Sequence, residues 1–362
     1  MINLSLNDET QQSILPVLEE TEELIRIAIK KEDGVEGEAE IQAMPDLGFA
    51  NNAIRMSGGF YTGLFLKWKS VYPFVPVDTT VNSCGVSIYS IKNELSIEEF
   101  KSRIISAKRR VALYNYNWNF ERGNHFISLC TFENGQHCLV MHASADEFKT
   151  SLAEKSLYPV PGVWYYDTIK TVYHPLVNGR YLRYLTGSVA ERFISIANDL
   201  EGINHTRMNN IANLILGEDV EDEIVYTPHY GMPTSSTIAI GCSWKINKSV
   251  LLTVPGRDIY LIQPTSYSES TSWLTPHGLG VSISQPSIQY DESGFYINGK
   301  KIITNDDVIR LNNRSIRKIN ASDGDFNSHI NKILHLCKAT IHERIHPIAT
   351  LCKEGFIVFN SM

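Results

Sequence analysis

Apolar residues recur early in the chain at Ile14, Leu15, Val17, Leu18, Leu24, Ile25, Ile27, Ala28 and Ile29, separated mainly by acidic residues. Spacings of three and four place them on one helical face, so residues 7–31 are expected to form one or two amphipathic helices. Pro16 marks a start or a break, because proline lacks an amide hydrogen and crowds the preceding turn. A polar, glycine-bearing link over 31–40 leads into short strands and turns that run to about Ser90. Ser96-Ile97-Glu98-Glu99-Phe100 has the start of a capped helix, with Phe100, Ile104, Ile105 and Ala107 as its apolar positions.

Beyond this helix the period shortens. Residues 126–129 and 138–142 are compact apolar runs on either side of Glu133-Asn134-Gly135-Gln136, which predicts a β-hairpin. Residues 188–216 are helical by pattern, and 222–226, 238–240, 250–254 and 259–262 predict further strands. A helix over 326–336 precedes a last strand near 345–351. No repeat, low-complexity tract or long linker divides the chain, so a single α+β domain over residues 1–362 is expected.

Composition narrows the class. The 362 residues are 43% hydrophobic and 20% charged, ordinary for a chain that buries a sizeable core. No run of about eighteen apolar residues predicts a membrane span, and the first residues lack the basic and apolar regions of a signal peptide. The expected compartment is therefore the cytoplasm. Six cysteines without C-x-x-C spacing read as reduced thiols rather than as a disulfide framework. A net charge of −7 argues against broad, non-specific nucleic-acid binding while leaving room for a local basic groove.

Candidate chemistry begins at Pro276-His277-Gly278-Leu279-Gly280, the end of a segment opening at Ser272-Trp273. Two glycines let backbone approach a ligand closely, and an imidazole so placed serves as nucleophile or metal ligand, an ordinary turn being the alternative. Cys84, His125, His142 and His229 each stand at the edge of an apolar segment, where strand ends can present them to a common pocket. A thiolate bridges two metals and imidazoles suit divalent transition ions, but these residues lie too far apart along the chain for a zinc-finger pattern. Lys108-Arg109-Arg110 precedes alternating Tyr114, Tyr116 and Trp118, which suits stacking beside RNA or simply a strand face. Arg314-Ser315-Ile316-Arg317-Lys318 is a second basic cluster. Residues 322–325 lack the terminal glutamate of a calcium loop and read as a turn leading a helix.

Taken in order, these segments resemble the RtcB family, GTP- and manganese-dependent ligases that join RNA 3′-phosphate or 2′,3′-cyclic phosphate ends to 5′-hydroxyl ends. Ala43-Met44-Pro45-Asp46 looks like the family's A-M-P-D, Val81-Asn82-Ser83-Cys84-Gly85-Val86 like D-I-N-C-G-V, and Gly123-Asn124-His125-Phe126 like G-N-H-F. His142-Ala143-Ser144 resembles the start of H-S-G-S-R-G, and Asn204-His205-Thr206-Arg207-Met208-Asn209 the helical N-Y-A-W-A-N-R. Thr227-Pro228-His229 sits where a strand precedes the last metal histidine, Pro276 to Gly280 resembles H-G-A-G-R, and His346 to Lys353 resembles the terminal P-I-A-V-I-K-G.

The resemblance covers residues 40–355 and implies an RtcB-like domain of mixed β-sheets and flanking helices around a central metal and nucleotide pocket. It implies that Cys84 bridges manganese ions, with His142 and His229 on one and His125 on the other. It implies that His277 carries a covalent guanylate taken from GTP, and that Asn124, Gly278, Gly280 and Lys353 border the nucleotide. Expected partners are RNA with broken ends and GTP, with no membrane, and an accessory protein stays an open alternative. The expected role is RNA repair, of a damaged tRNA or ribosomal RNA.

Departures from the pattern are specific. Val81 replaces a metal-binding aspartate, and Asp78 can substitute only in a rebuilt loop. Val281 replaces an arginine, Asp146 and Glu147 stand in the basic anion segment, Leu47-Gly48 replaces a histidine after A-M-P-D, and Glu354 interrupts the terminal K-G. They leave a second expectation open: a metal-dependent phosphohydrolase, or a nucleotide-binding paralogue without ligase activity.

Overall fold

The N-terminal apolar face forms one uninterrupted helix, Glu9–Asp33, with Pro16 inside it. Asp8 caps the helix: its carboxylate accepts from the Gln11 amide, and the Gln11 side chain accepts in turn from the Asp8 amide. Pro16 does not break the helix, because Ile14, Leu18, Ile25 and Ile29 are buried on either side of it and tertiary packing outweighs one missing backbone bond. The computed structural model describes residues 1–114, 116–145, 153–244, 248–265 and 274–359. Asp146, Glu147, Ser272 and Trp273 lie outside the described residues.

Where a polar link to residue 40 was expected, the chain enters the strand Glu38–Gly48. This strand pairs with Thr62–Lys69 and, through it, with Thr237–Ile240 and Tyr230–Thr234; with Ile2–Asn3 they form a five-stranded sheet. The Glu9–Asp33 helix lies against it, Ile14, Leu18 and Ile25 sharing a core with Ile41, Leu64 and Leu66.

A second, eight-stranded sheet is antiparallel throughout. Its order is Val220–Pro228, Gly85–Ile91, His137–Ala143, Phe126–Phe132, Ala339–Cys352, Ile259–Pro264 and Ser249–Leu251, with Gly355–Val358 added to Ala339–Cys352. One face carries Ile127, Leu129 and Met141 against Phe100 and Ile104 of helix Ile97–Val111 and Met208 and Ile211 of helix Gly187–Leu216. The other holds Val86, Ile88, Val140, Leu261 and Ile345. The expected hairpin is present, with Gly135 at φ 87° and the Gln136 amide donating to Asn134 Oδ1 at 2.9 Å.

Mixed helix and sheet make the domain α+β. Among the described residues no helix is long and apolar enough to cross a membrane, and none of the six cysteines is in a disulfide. Tyr114, Tyr116 and Trp118, for which a strand face was one expectation, are not in a strand: Ala112–Tyr114 is a turn of 3₁₀ helix and 116–119 is irregular.

Candidate metal centre

Strand direction gathers the candidate ligands. In the antiparallel order, Gly85–Ile91 and Phe126–Phe132 begin where His137–Ala143 and Val220–Pro228 end. His142 lies opposite Val86 on one side and Phe126 on the other, and Pro228 lies opposite Gly85. Cys84 and His125 immediately precede their strands, and His229 immediately follows its own. Four residues remote in sequence thus meet at one sheet edge.

The Cys84 thiol and the His142 and His229 rings offer donor atoms that all lie within 4.8 Å of one another, and all three residues are buried. His125 approaches Cys84 from outside this triplet, its Nε2 3.8 Å from the sulfur. Backbone carbonyls set the tautomers. His142 Nδ1 donates to Asn124 O at 2.9 Å and His125 Nδ1 to Asn119 O at 3.1 Å, so each Nε2 faces the sulfur side as a lone pair. His142 Nε2 stands 3.3 Å from His229 Nε2, a contact that needs either a shared proton or a shared cation. Burial, reinforced by the neighbouring histidines, pushes the pKa of both His142 and His229 well below the ordinary imidazole range. They are therefore neutral, the state that ligates. One sulfur and two ring nitrogens fit a borderline-soft divalent ion such as zinc or cobalt better than manganese, which prefers carboxylate and carbonyl oxygen.

The loop before Cys84 is held under strain. Thr80 and Ser83 both have positive φ, 44° and 54°, and such conformations persist only where the surroundings impose them. Asn204 imposes this one, its amide donating to Ser83 O at 2.9 Å and to Ala143 O at 3.2 Å. Arg207, one helical turn on, donates to Ser144 O and to Asn204 Oδ1, both at 2.8 Å.

His277 reaches the same edge from the turn after Thr275–Pro276, a short strand paired with Cys242–Ser243. Its ring stacks on His229, with centroids 4.8 Å apart and planes 27° apart. Its Nδ1 lies 2.7 Å from Asp46 Oδ2 and 2.8 Å from Gly241 O. Both are acceptors, so Nδ1 carries a hydrogen and Nε2 is the ring nitrogen left outside these two bonds. Asp46 is fully buried near the end of Glu38–Gly48 and is itself fixed. Gln11 donates to the carbonyls flanking it, Pro45 O at 2.8 Å and Leu47 O at 3.2 Å, and Arg317 donates to Leu47 O at 2.7 Å and Leu279 O at 3.1 Å. Arg317, read as part of a basic cluster, is thus a buried latch between the Asp46 strand and the His277 loop.

Asp46 and Asn204 stand in motifs of the resemblance but were not expected to be functional; Gln11 is a further positioning residue that no motif marks. Gly280, at φ 75°, leaves no room for a Cβ against the Asp46 carbonyl, and a Cβ on Gly278 would meet Leu252 O at 3.4 Å. Asn124 has an exposed side chain, and its carbonyl holds His142. Lys353 is exposed and pairs with Glu354 at 3.4 Å; it follows the strand register at Leu351–Ile127, which places it at the His125 end of the sheet. Asp78 is not available to the cluster. It is fully buried and accepts from Arg183 Nε at 3.0 and 3.1 Å, while Val81 keeps its position as a buried apolar residue.

Neither the protein-family models nor the curated proteins give a match to this chain.

Proposed function

We propose that the chain is an RtcB-like RNA ligase, joining an RNA 3′-phosphate or 2′,3′-cyclic phosphate end to a 5′-hydroxyl end through a guanylate carried on His277. One observation carries this reading. His277 has its Nδ1 hydrogen held by a buried carboxylate, which turns Nε2 away from that bond, and its ring stacks on His229 of a cluster suited to a divalent cation.

Cys84, His142 and His229 would hold a divalent cation, which when bound would supply positive charge against phosphate oxygens. His277 Nε2 attacks the α-phosphorus of GTP, the bond to the β-phosphate oxygen breaks, and pyrophosphate leaves with the electron pair. Asp46 offsets the charge that the imidazole takes on. An RNA 3′-phosphate oxygen then displaces His277, breaking the P–N bond and forming an anhydride with GMP. The 5′-hydroxyl attacks the RNA phosphorus, its proton passes to solvent, and GMP leaves. A cyclic end enters this sequence after water opens it to the 3′-phosphate. Asn124, Gly278, Gly280 and Lys353 are the proposed nucleotide-side residues, and His125 the extra donor at Cys84.

Val81 and the engagement of Asp78 by Arg183 favour a single-cation centre, and this supports a second reading, a metal-dependent phosphohydrolase acting on the same RNA end. The test is incubation with α-labelled GTP and manganese, cobalt or zinc, beside His277→Ala. The ligase reading expects acid-labile label on the wild type and none on the variant. An absence of label with all three metals overturns it, and phosphate released from an RNA 3′-phosphate then assigns the second reading.

A further inference from the structure

On the outer side of the centre, the chain between helix Ile97–Val111 and strand Phe126–Phe132 is basic and aromatic, on a protein whose net charge is −7. Arg109, Arg110 and Arg122 are exposed and have no carboxylate partner among the described residues. Lys108 pairs with Glu121, which pins the helix end beside Arg122. Between them Tyr114 is 53% exposed, and its ring stacks on Tyr116 with centroids 6.5 Å apart and planes 14° apart. Tyr116 is half-buried, with Asn210 donating to its hydroxyl at 2.9 Å, and Trp118 is also half-buried and turns edge-on to Phe120 in the core, so Tyr114 is the outward ring and Tyr116 the support on which it stacks.

This surface is tied to the centre. The Asn119 carbonyl holds His125 Nδ1, Arg207 donates to the Asn117 carbonyl at 3.4 Å, and Arg207 lies within electrostatic range of both Tyr116 and Cys84. Arg122, Gly123 and Asn124 are exposed and run directly into His125. Cations alternating with an outward aromatic face match a single strand, whose phosphates and unstacked bases alternate likewise. Duplex, with its bases turned inward, has nothing to offer Tyr114.

We infer that the surface of Arg109, Arg110, Tyr114, Tyr116 and Arg122 is the track along which the single-stranded 3′ portion of an RNA is led to the Cys84–His125 edge. The inference rests on the RNA-end reading above, and its test needs no turnover. Anisotropy of a fluorescent ten-nucleotide RNA ending in a 3′-phosphate is measured across a salt series. The proteins compared are the wild type, Arg109→Glu/Arg110→Glu, Arg122→Ala, Tyr114→Ala and, as a remote charge control, Lys332→Glu.

The double reversal is expected to weaken binding at least ten-fold and to lower the slope of log affinity on log salt by roughly 1.4, two contacts at about 0.7 each. Tyr114→Ala is expected to cost roughly five- to one-hundred-fold, and Lys332→Glu less than two-fold. Equal binding by all the proteins overturns the track, as does wild-type binding of duplex DNA as tight as that of the RNA. GTP labelling is scored separately. Labelled wild type with unaltered RNA binding in the variants refutes the track alone. Unlabelled wild type with the expected losses refutes the ligase chemistry alone.

Discussion

Asp46 governs His277 by fixing which ring nitrogen carries the hydrogen. Asp46→Asn is expected to slow His277 labelling on the order of 10²- to 10⁴-fold, while metal content measured by atomic absorption stays at the wild-type value. Gly280→Ala approaches the same failure from the backbone: a Cβ there displaces the Asp46 carbonyl, so labelling should fall with the metal still bound. Equal loss of metal in either variant would show that the two halves of the site are not separable. That Cys84, His125, His142, His229 and His277 come together was suggested by the sequence because each sits in a recognisable short segment. The Asp46–His277 pair was not, since it joins residues 231 apart and no local spacing marks it. The role of Arg317 was hidden for a related reason: nothing in a basic run tells which cation is buried until the carbonyls around it are known.

Secondary-structure elements decide what each charged residue is free to do. Asp78 lies on a short 3₁₀ turn facing strand Tyr181–Thr186, and Arg183 on that strand claims it. Asp78→Asn should therefore leave the metal stoichiometry unchanged; a loss of metal would return Asp78 to the centre. Arg183→Met, which strands a buried carboxylate, should destabilise the fold by about 3–5 kcal/mol in urea unfolding. Helix Asp323–Leu336 carries a pH dependence of its own. Burial, with Lys318 and Arg317 nearby, pushes His329 down to about 4. The unfolded chain then binds the proton first, so this contribution to stability is complete above about pH 6.5 and is lost as pH falls towards 4. His329→Gln should flatten the melting temperature over that interval. The long helices and the hairpin were readable from periodicity and caps. The two- to four-residue strands of 281–316 were not, because runs so short and half-exposed show no period.

Across the whole molecule the site straddles two sheets: Cys84, His125, His142 and His229 stand at strand ends of the eight-stranded sheet, Asp46 lies in the five-stranded sheet, and His277 follows the short pair Cys242–Ser243 and Thr275–Pro276. A cation bound only by the folded chain should raise stability by about 4 kcal/mol at a thousand-fold excess over its Kd. Differential scanning calorimetry should show that gain with cobalt or zinc, reversal by a chelator, and none in Cys84→Ser. That the chain is α+β was legible from the order of its patterns; the meeting of these edges was not, because register is a property of paired strands and no single strand contains it. The turn at Asn134-Gly135 stands at the opposite end of the hairpin from His125 and His142, about 20 Å away along seven-residue strands. It works as a ruler. Lengthened by one residue, it would slide the second strand a single step and exchange the faces of all its side chains, putting Met141 where His142 now stands. A lesion at the far rim, in a loop with no chemistry of its own, would thus read out as loss of the metal.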